Sequence, residues 1–443
     1  MVPKSEFAER RERFLAAAGS GAAIFASAPV ALRNNDVEHE YRQDSDLYYL
    51  TGFDEPDSVL LLTTEHAEHR TVLFVRPRDK ERETWDGPRA GLEGAVAEFG
   101  ADVAFPIAEL SKRLPEYLKD VHRLQYRIGH DRVFDGVVLD AIAEVRRKAR
   151  VGISAPREIV DPTVILHEMR LRKSEGELEV MHQAARITGE AHAAAMRLAG
   201  PGRYEYEVEA ELLRVFRARG AERPAYGSIV GSGPNATILH HRKNDRRMQE
   251  GDLLLIDAGA EFGYYACDVT RTFPVSGRFS EAQRALYQVV LDAQLAAIES
   301  VRPGVTVPYV HGAALEVLVA GLVDLGIVEG PAPEAIEAER YKPYYMHRTS
   351  HWLGMDVHDV GEYHVDKRPR QLEAGMVLTV EPGIYVAAGS ACDPKWHGIG
   401  IRIEDDVLVT QTGRRVLTDG IPKTVAELEQ ALASRGAARE AAE

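Results

Sequence analysis

The sequence predicts an α/β (α+β) chain in two domains, and three observations carry that expectation. In the first part, short apolar β-prone runs (Ala22 to Phe25, Val59 to Leu62, Thr71 to Val75) alternate with charged, helix-like stretches. From Val160 to Thr188 the pattern turns helical, and Ser174 with Glu177 three residues on forms a capping box that marks a helix start. Beyond it, glycines cluster around strand-like runs. The boundary is placed near Lys173, giving domains 1–172 and 173–443. At 443 residues the chain is long enough for two separate cores.

Composition narrows the function classes. With 45% hydrophobic and 28% charged residues, this is ordinary globular chain. No uninterrupted apolar stretch approaches the roughly 20 residues of a membrane span, and the start, MVPKSEFAER, lacks a signal-peptide hydrophobic region. A cytoplasmic protein with no membrane partner is expected. Two cysteines, Cys267 and Cys392, supply neither a disulfide framework nor a cysteine-based zinc site. A net charge of -15 opposes phosphate backbones, so no nucleic acid partner is expected. The first part has no phosphate-binding glycine loop, no solenoid-like repeat is present, and the Ala-, Arg- and Glu-rich tail from Ala431 reads as frayed helix.

The chemically suggestive residues lie between His240 and Glu404. In Leu253-Leu-Leu-Ile-Asp257-Ala-Gly-Ala-Glu-Phe-Gly-Tyr-Tyr-Ala-Cys-Asp268-Val-Thr-Arg-Thr-Phe273, two apolar runs flank a glycine-containing turn, which reads as a hairpin. A turn centred on Phe262-Gly263 pairs 261 with 264 and, further down, Asp257 with Asp268. Phe262 suits a tight primed turn poorly, but a four-residue loop preserves the register. Directly opposed Cβ atoms lie about 5 Å apart, where like charges repel unless neutralised. Either a cation sits between the carboxylates or both lie on a solvated strand face.

Further candidates accompany this pair. In Met376-Val-Leu-Thr-Val-Glu381-Pro-Gly383 a buried-type run ends on a glutamate where Pro-Gly stops the strand. In Ile399-Gly-Ile-Arg402-Ile-Glu404-Asp-Asp, alternation puts Arg402 and Glu404 on one face, which alone reads as an exposed strand face with a cross-paired arginine rather than as a ligand. Histidines punctuate Met346-His347-Arg-Thr-Ser-His351-Trp-Leu-Gly-Met-Asp-Val-His358, and His240 stands in Ile238-Leu-His240-His241. Four carboxylates ending or facing from strands, with histidines in the same half of the chain, point to a metal site rather than to scattered charge.

From about Lys173 to Thr418 these motifs resemble the pita-bread metallopeptidases, the family of methionine aminopeptidase, prolidase and aminopeptidase P. The resemblance rests on the aspartates of Ile-Asp-Ala-Gly and Cys-Asp-Val-Thr-Arg-Thr, the second histidine of Met-His-Arg-Thr-Ser-His, and the glutamates of Val-Glu-Pro-Gly and Arg-Ile-Glu-Asp. It implies five metal ligands: Asp257, Asp268, His351, Glu381 and Glu404. Tyr41-Arg-Gln-Asp-Ser-Asp-Leu-Tyr-Tyr-Leu-Thr-Gly-Phe53 resembles the accessory domain of aminopeptidase P and prolidase. The implied architecture is thus a creatinase/prolidase-like α/β domain followed by a pita-bread catalytic domain.

Four carboxylates balance two divalent cations, and oxygen-dominated ligation with one imidazole suits manganese, with cobalt or zinc as substitutes. Two such ions, about 3.5 to 4 Å apart, share and acidify a water, so the expected nucleophile is a bridging hydroxide. The resemblance to aminopeptidase P implies hydrolysis of the N-terminal Xaa-Pro bond of peptides with proline at position two. It assigns His240 and His347 to the substrate and transition state, His358 to the leaving-group side, and Glu381 to proton shuttling. Arg402 is expected to pair with a ligand carboxylate, and Tyr385 to support one by hydrogen bonding and to face substrate. Bacterial relatives associate through the N-terminal domain, so a homo-oligomer, dimer or tetramer, is expected. Trp85 either reaches a neighbour's active site or packs within its own chain. The rival reading is prolidase, confined to Xaa-Pro dipeptides. Methionine aminopeptidase usually lacks so large an N-terminal domain, and non-catalytic binding modules of this fold generally lose ligands.

Overall fold

The computed structural model describes residues 1–440, with side chains described to residue 433. The last helix is Val425–Glu440; of the tail read as frayed helix, residues 441–443 lie outside the described residues. The chain separates into two compact units, Val2–Arg170 and Leu171–Glu443, the latter taking in Met1.

In the Val2–Arg170 unit the three apolar runs become the central strands of a six-stranded sheet. Its order is Val103–Pro106, Thr71–Val75, Val59–Thr63, Ala22–Ala26, Arg123–Gln125, Glu158–Val160. Val59–Thr63 runs antiparallel to both neighbours and the remaining pairs are parallel. Leu61, Val72, Phe74 and Leu124 bury against Leu114, Ile142 and Val145 from flanking helices, which is why these strands read as unbroken apolar runs. The Tyr41 to Phe53 segment is mainly a structural knot. Gln43 accepts from Ala28 N at 3.0 Å and donates to Glu55 O at 2.9 Å, Asp44 caps helix Ser45–Thr51, and Asp46 pairs with Arg170 at 2.7 Å and His167 at 3.1 Å.

The Leu171–Glu443 unit opens as expected on helix Glu175–Leu198, with Ser174 and Glu177 completing the capping box. Its main core gathers Val208, Leu212 and Phe216 of Glu205–Ala218, Leu286 and Val290 of Glu281–Ser300, and Leu318 and Leu322 of Val307–Asp324 around Leu254, Ile256, Ile401 and Ile403. Helix Val307–Asp324 has the length and mean hydropathy, 1.3, of a membrane span, yet buries these leucines inside the unit. Leu253–Asp257 is the middle strand of a sheet between Ile229–Ser232 and Thr270–Pro274. Two antiparallel pairs, Val377–Val380 with Asp405–Val409 and Gly383–Val386 with Ile399–Arg402, carry the glutamate segments.

Candidate functional site

A cavity of about 420 Å³ in the Leu171–Glu443 unit is lined by Asp257, Asp268, His351, Glu381 and Glu404, together with His240, His347, His358 and Arg402. These nine expected residues, spread over more than 160 positions of sequence, face one space.

The ribbon that delivers the two aspartates differs from expectation in register. Phe262 pairs with Tyr265 and Glu261 with Ala266, so the turn is Gly263-Tyr264, with φ of 56° and 69°, a primed two-residue turn. Asp257 consequently pairs with Thr270, and the direct opposition of Asp257 and Asp268 is incorrect. The misreading arose because Tyr264, an aromatic residue, takes a left-handed conformation that glycine usually supplies. The aspartates are diagonal neighbours on one face, a wider spacing than direct opposition. Tyr226 spans it: its hydroxyl donates to Asp257 Oδ1 at 2.6 Å and also contacts Asp268 Oδ1. Gly259 is required beside Asp257, because a Cβ there would lie 1.6 Å from Cys267 O.

The remaining groups close around the pair. His351 Nδ1 donates to Trp352 O at 3.0 Å, which turns Nε2 toward Asp268 Oδ2 at 3.3 Å and Glu381 Oε1 at 3.6 Å. Glu404 follows strand Ile399–Arg402 and accepts from Thr270 Oγ1 at 2.7 Å. Its two acidic neighbours are used elsewhere: Asp405 pairs with Arg271 and Lys423, both at 2.7 Å, and Asp406 Oδ2 accepts from Asp268 N at 3.2 Å. Arg402 donates to Asp257 Oδ2 at 2.6 Å, to Thr270 Oγ1 at 3.0 Å and to Tyr385 Oη at 2.9 Å.

Tyr385 departs from the expected role. It is buried outside the cavity lining and, among the described residues, hydrogen-bonds no carboxylate; its hydroxyl accepts from Arg402 and donates to His347 Nε2 at 2.8 Å. His347 in turn donates Nδ1–H to Arg348 O at 2.8 Å, and burial, with Arg402 beside it, lowers its pKa to about 3. It is therefore a neutral imidazole of defined tautomer. His358 packs edge-on against His351, ring centroids 4.4 Å apart. Trp85 belongs to the other unit, on helix Lys80–Asp86, and is 83% exposed, so packing within its own unit does not account for it.

The electrostatics favour a cation. Burial first, then the charges of Asp268, Glu381 and Asp257, push Glu404 well above the usual carboxylate range. Burial likewise pushes Glu381 up to about 7. At His351, burial would favour the neutral ring, yet the Asp268 hydrogen bond and the Glu381 charge outweigh it and hold the pKa at about 9. Three buried carboxylates and the half-buried Glu381 have one arginine, Arg402, and one imidazole, His351, in contact with them, while Arg242 and Arg348 on the cavity wall are exposed, so the carboxylates are short of close positive charge. Ligand atoms of Asp268, His351 and Glu404 lie within 4.8 Å of one another. Asp257 and Glu381 stand outside that tight group, linked to it through Tyr226 and His351 respectively. Oxygen donors, one imidazole Nε2 and this charge deficit fit divalent metal.

Tyr226 and Thr270 escaped the sequence reading, since neither carries a charge and Tyr226 is remote from every ligand motif. Thr270 was visible in Asp-Val-Thr-Arg-Thr, but its bond to Glu404 joins residues 134 positions apart, which no local pattern encodes. Arg242 and Arg348, also lining the cavity, had only their histidine neighbours as a signal.

Comparisons with known proteins give the family. Residues 179–411 match the family model for metallopeptidase family M24, and residues 7–125 that for the aminopeptidase P N-terminal domain. The chain is 42% identical to the Xaa-Pro aminopeptidase of Escherichia coli (strain K12) over 431 residues, 97% of each chain. Its structure superposes on a Pseudomonas aeruginosa aminopeptidase with TM-score 0.97 at 50% identity, covering 99% of this chain and 100% of that one. Zinc-substituted E. coli aminopeptidase P in complex with product gives TM-score 0.95 at 41% identity, covering 98% and 99%.

Proposed function

The chain belongs to metallopeptidase family M24 and within it to the Xaa-Pro aminopeptidases, and from that premise we propose how its own residues release the first amino acid from peptides whose second residue is proline. The observation that carries the reading is the convergence of four carboxylates, three of them buried, and His351 on one cavity beside three further histidines. We assign Asp257, Asp268, His351, Glu381 and Glu404 as ligands of two divalent ions, manganese on the donor chemistry, within a catalytic region 173–443 that follows an accessory region 1–172. When bound, the ions supply charge neutralisation, Lewis acidity and an acidified water.

The chain's residues do the rest. Arg402 and Tyr226 hold both oxygens of Asp257 and so orient it. His240, which faces the cavity, meets the substrate carbonyl as a hydrogen-bond donor where negative charge develops, while His347, neutral, with its Nδ1–H held by the Arg348 carbonyl and its Nε2 accepting from Tyr385, packs against the substrate. The Xaa-Pro nitrogen carries no hydrogen and must gain a proton to leave. Glu381, 3.6 Å from both His347 and His351, is placed to carry that proton, and His358 stands on the leaving-group side. Cytoplasmic residence is supported by two unpaired cysteines, Cys267 and Cys392. A homo-oligomeric assembly is supported by the exposure of Trp85, an aromatic side chain free to meet a neighbouring subunit and its substrate. The net charge of -15 supports the absence of a nucleic acid partner.

Comparing Ala-Pro, Ala-Pro-Ala and Ala-Ala-Ala in manganese buffer tests the activity. Ala-Pro-Ala is expected to give the highest kcat/KM and to release free alanine, because residues beyond proline add contacts usable in the transition state. Cleavage confined to the dipeptide moves the assignment to prolidase, and preference for Ala-Ala-Ala removes the proline requirement.

A further inference from the structure

Two adjacent histidines have opposite surroundings. His240 lines the cavity, is exposed, and makes no hydrogen bond among the described residues. His241 turns inward, is buried, and its Nε2 lies 3.0 Å from Oε2 of Glu205. Glu205 opens helix Glu205–Ala218 and is fully buried.

Its carboxylate also accepts from Ser232 N at 2.7 Å, Ser232 Oγ at 2.8 Å, Asn235 Nδ2 at 3.0 Å and Arg246 N at 3.0 Å. With His241, five donors from three consecutive stretches converge on one side chain. Those stretches are the end of strand Ile229–Ser232, the turn Gly233–Thr237, and the loop that carries Leu239, His240 and Arg242 to the cavity wall. The same strand pairs Ile229 with Asp257, so the loop is referenced to the strand that bears an expected ligand. Asn244, at φ 48°, adds a second tie by accepting from Val230 N and donating to Ser228 O, both at 3.0 Å.

We propose that Glu205 is a positioning residue for the reaction: through His241 it fixes the loop so that His240, held by no bond of its own, presents its imidazole to the substrate. A carboxylate that accepts several charge-assisted or backbone bonds in a dry site sets geometry firmly, and a small misplacement of a reacting group is costly. The proposal rests on the substrate-facing role of His240 given above.

A double-mutant cycle separates positioning from plain folding support. Glu205→Gln keeps the volume but replaces an acceptor oxygen by an NH₂ group facing other donors. It is expected to lower kcat on Ala-Pro-Ala by about 10- to 100-fold, with KM and bound manganese per chain unchanged. In a His240→Ala background the same change should cost less than about 2-fold, since the group it positions is gone. His241→Gln, which keeps a donor toward Glu205, should recover most of the kcat that His241→Ala loses, and this pair carries the test if Glu205→Gln does not fold. If His240→Ala itself turns over at the wild-type rate, the role of His240 fails and the proposal with it. If His240→Ala is slow but Glu205→Gln is not, or Glu205→Gln costs equally in both backgrounds, or His241→Ala matches wild type, positioning by Glu205 is overturned while His240 keeps its role.

Discussion

Asp257 is gripped on both oxygens, by Tyr226 at one and Arg402 at the other, and Tyr226 also touches Asp268. One phenol thus sets the separation of two carboxylates that would otherwise repel across a strand pair. Tyr226→Phe removes that hydroxyl with little change in packing. It is expected to weaken manganese retention by about 10- to 100-fold, the scale for groups that orient ligands, while the far-ultraviolet circular dichroism stays unchanged. Chelator competition measures it, and wild-type retention would assign Tyr226 to the hydrocarbon wall alone. Asp268→Asn keeps the shape but removes a charge, so activity should vanish with the fold intact. Turnover near the wild-type rate in manganese buffer would remove Asp268 from the ligand set.

At the scale of elements, the ribbon from Leu253 to Pro274 depends on close backbone approach at Gly259, where a Cβ would meet Cys267 O at 1.6 Å. Backbone cannot yield as a flexible side chain does. Gly259→Ala should therefore destabilise the fold by on the order of 3 kcal/mol, read as a lower urea midpoint, and an unchanged midpoint would show that the strands can part. In the other unit, helix Ser45–Thr51 is tied down by Asp46. Burial works against its charge, but hydrogen bonds and charges from His167 and Arg170 outweigh burial and hold its pKa at about 2. Asp46 binds a proton more weakly folded than unfolded, so its stabilisation is complete above the ordinary carboxylate range and is lost as pH falls from about 4 to about 2. The stability gap between wild type and Asp46→Asn should narrow over that window. A gap constant from pH 5 to pH 2 would mean that Asp46 contributes packing rather than charge.

For the whole molecule, two units with separate cores should answer metal differently. The four carboxylates at the site belong to one of them, and a ligand that binds the native state stabilises only what it binds. Scanning calorimetry of chelator-treated protein with and without added manganese is expected to show one transition moving up and the other staying in place. Both moving together by the same amount would mean the units unfold as one.

Periodicity, capping and ligand chemistry reside in the sequence, because they are local. The apolar runs at 22, 59 and 71 and the Ser174 capping box were readable from residue type and spacing, and nine of the residues that line the cavity from motifs shared with a known family. Tertiary structure decided what depends on which strands and loops meet. The register turned on Tyr264 rather than Phe262 entering the left-handed region, and a shift of two residues changed Asp257's partner from Asp268 to Thr270. The same shift opened the gap that Tyr226 fills from the bend leading into strand Ile229–Ser232. Tyr385 moved from a carboxylate's support to that of His347, and Glu205 acquired His241 as a partner 36 positions away. A hydrogen bond between residues so far apart depends on how segments pack, and no spacing rule along the chain encodes it.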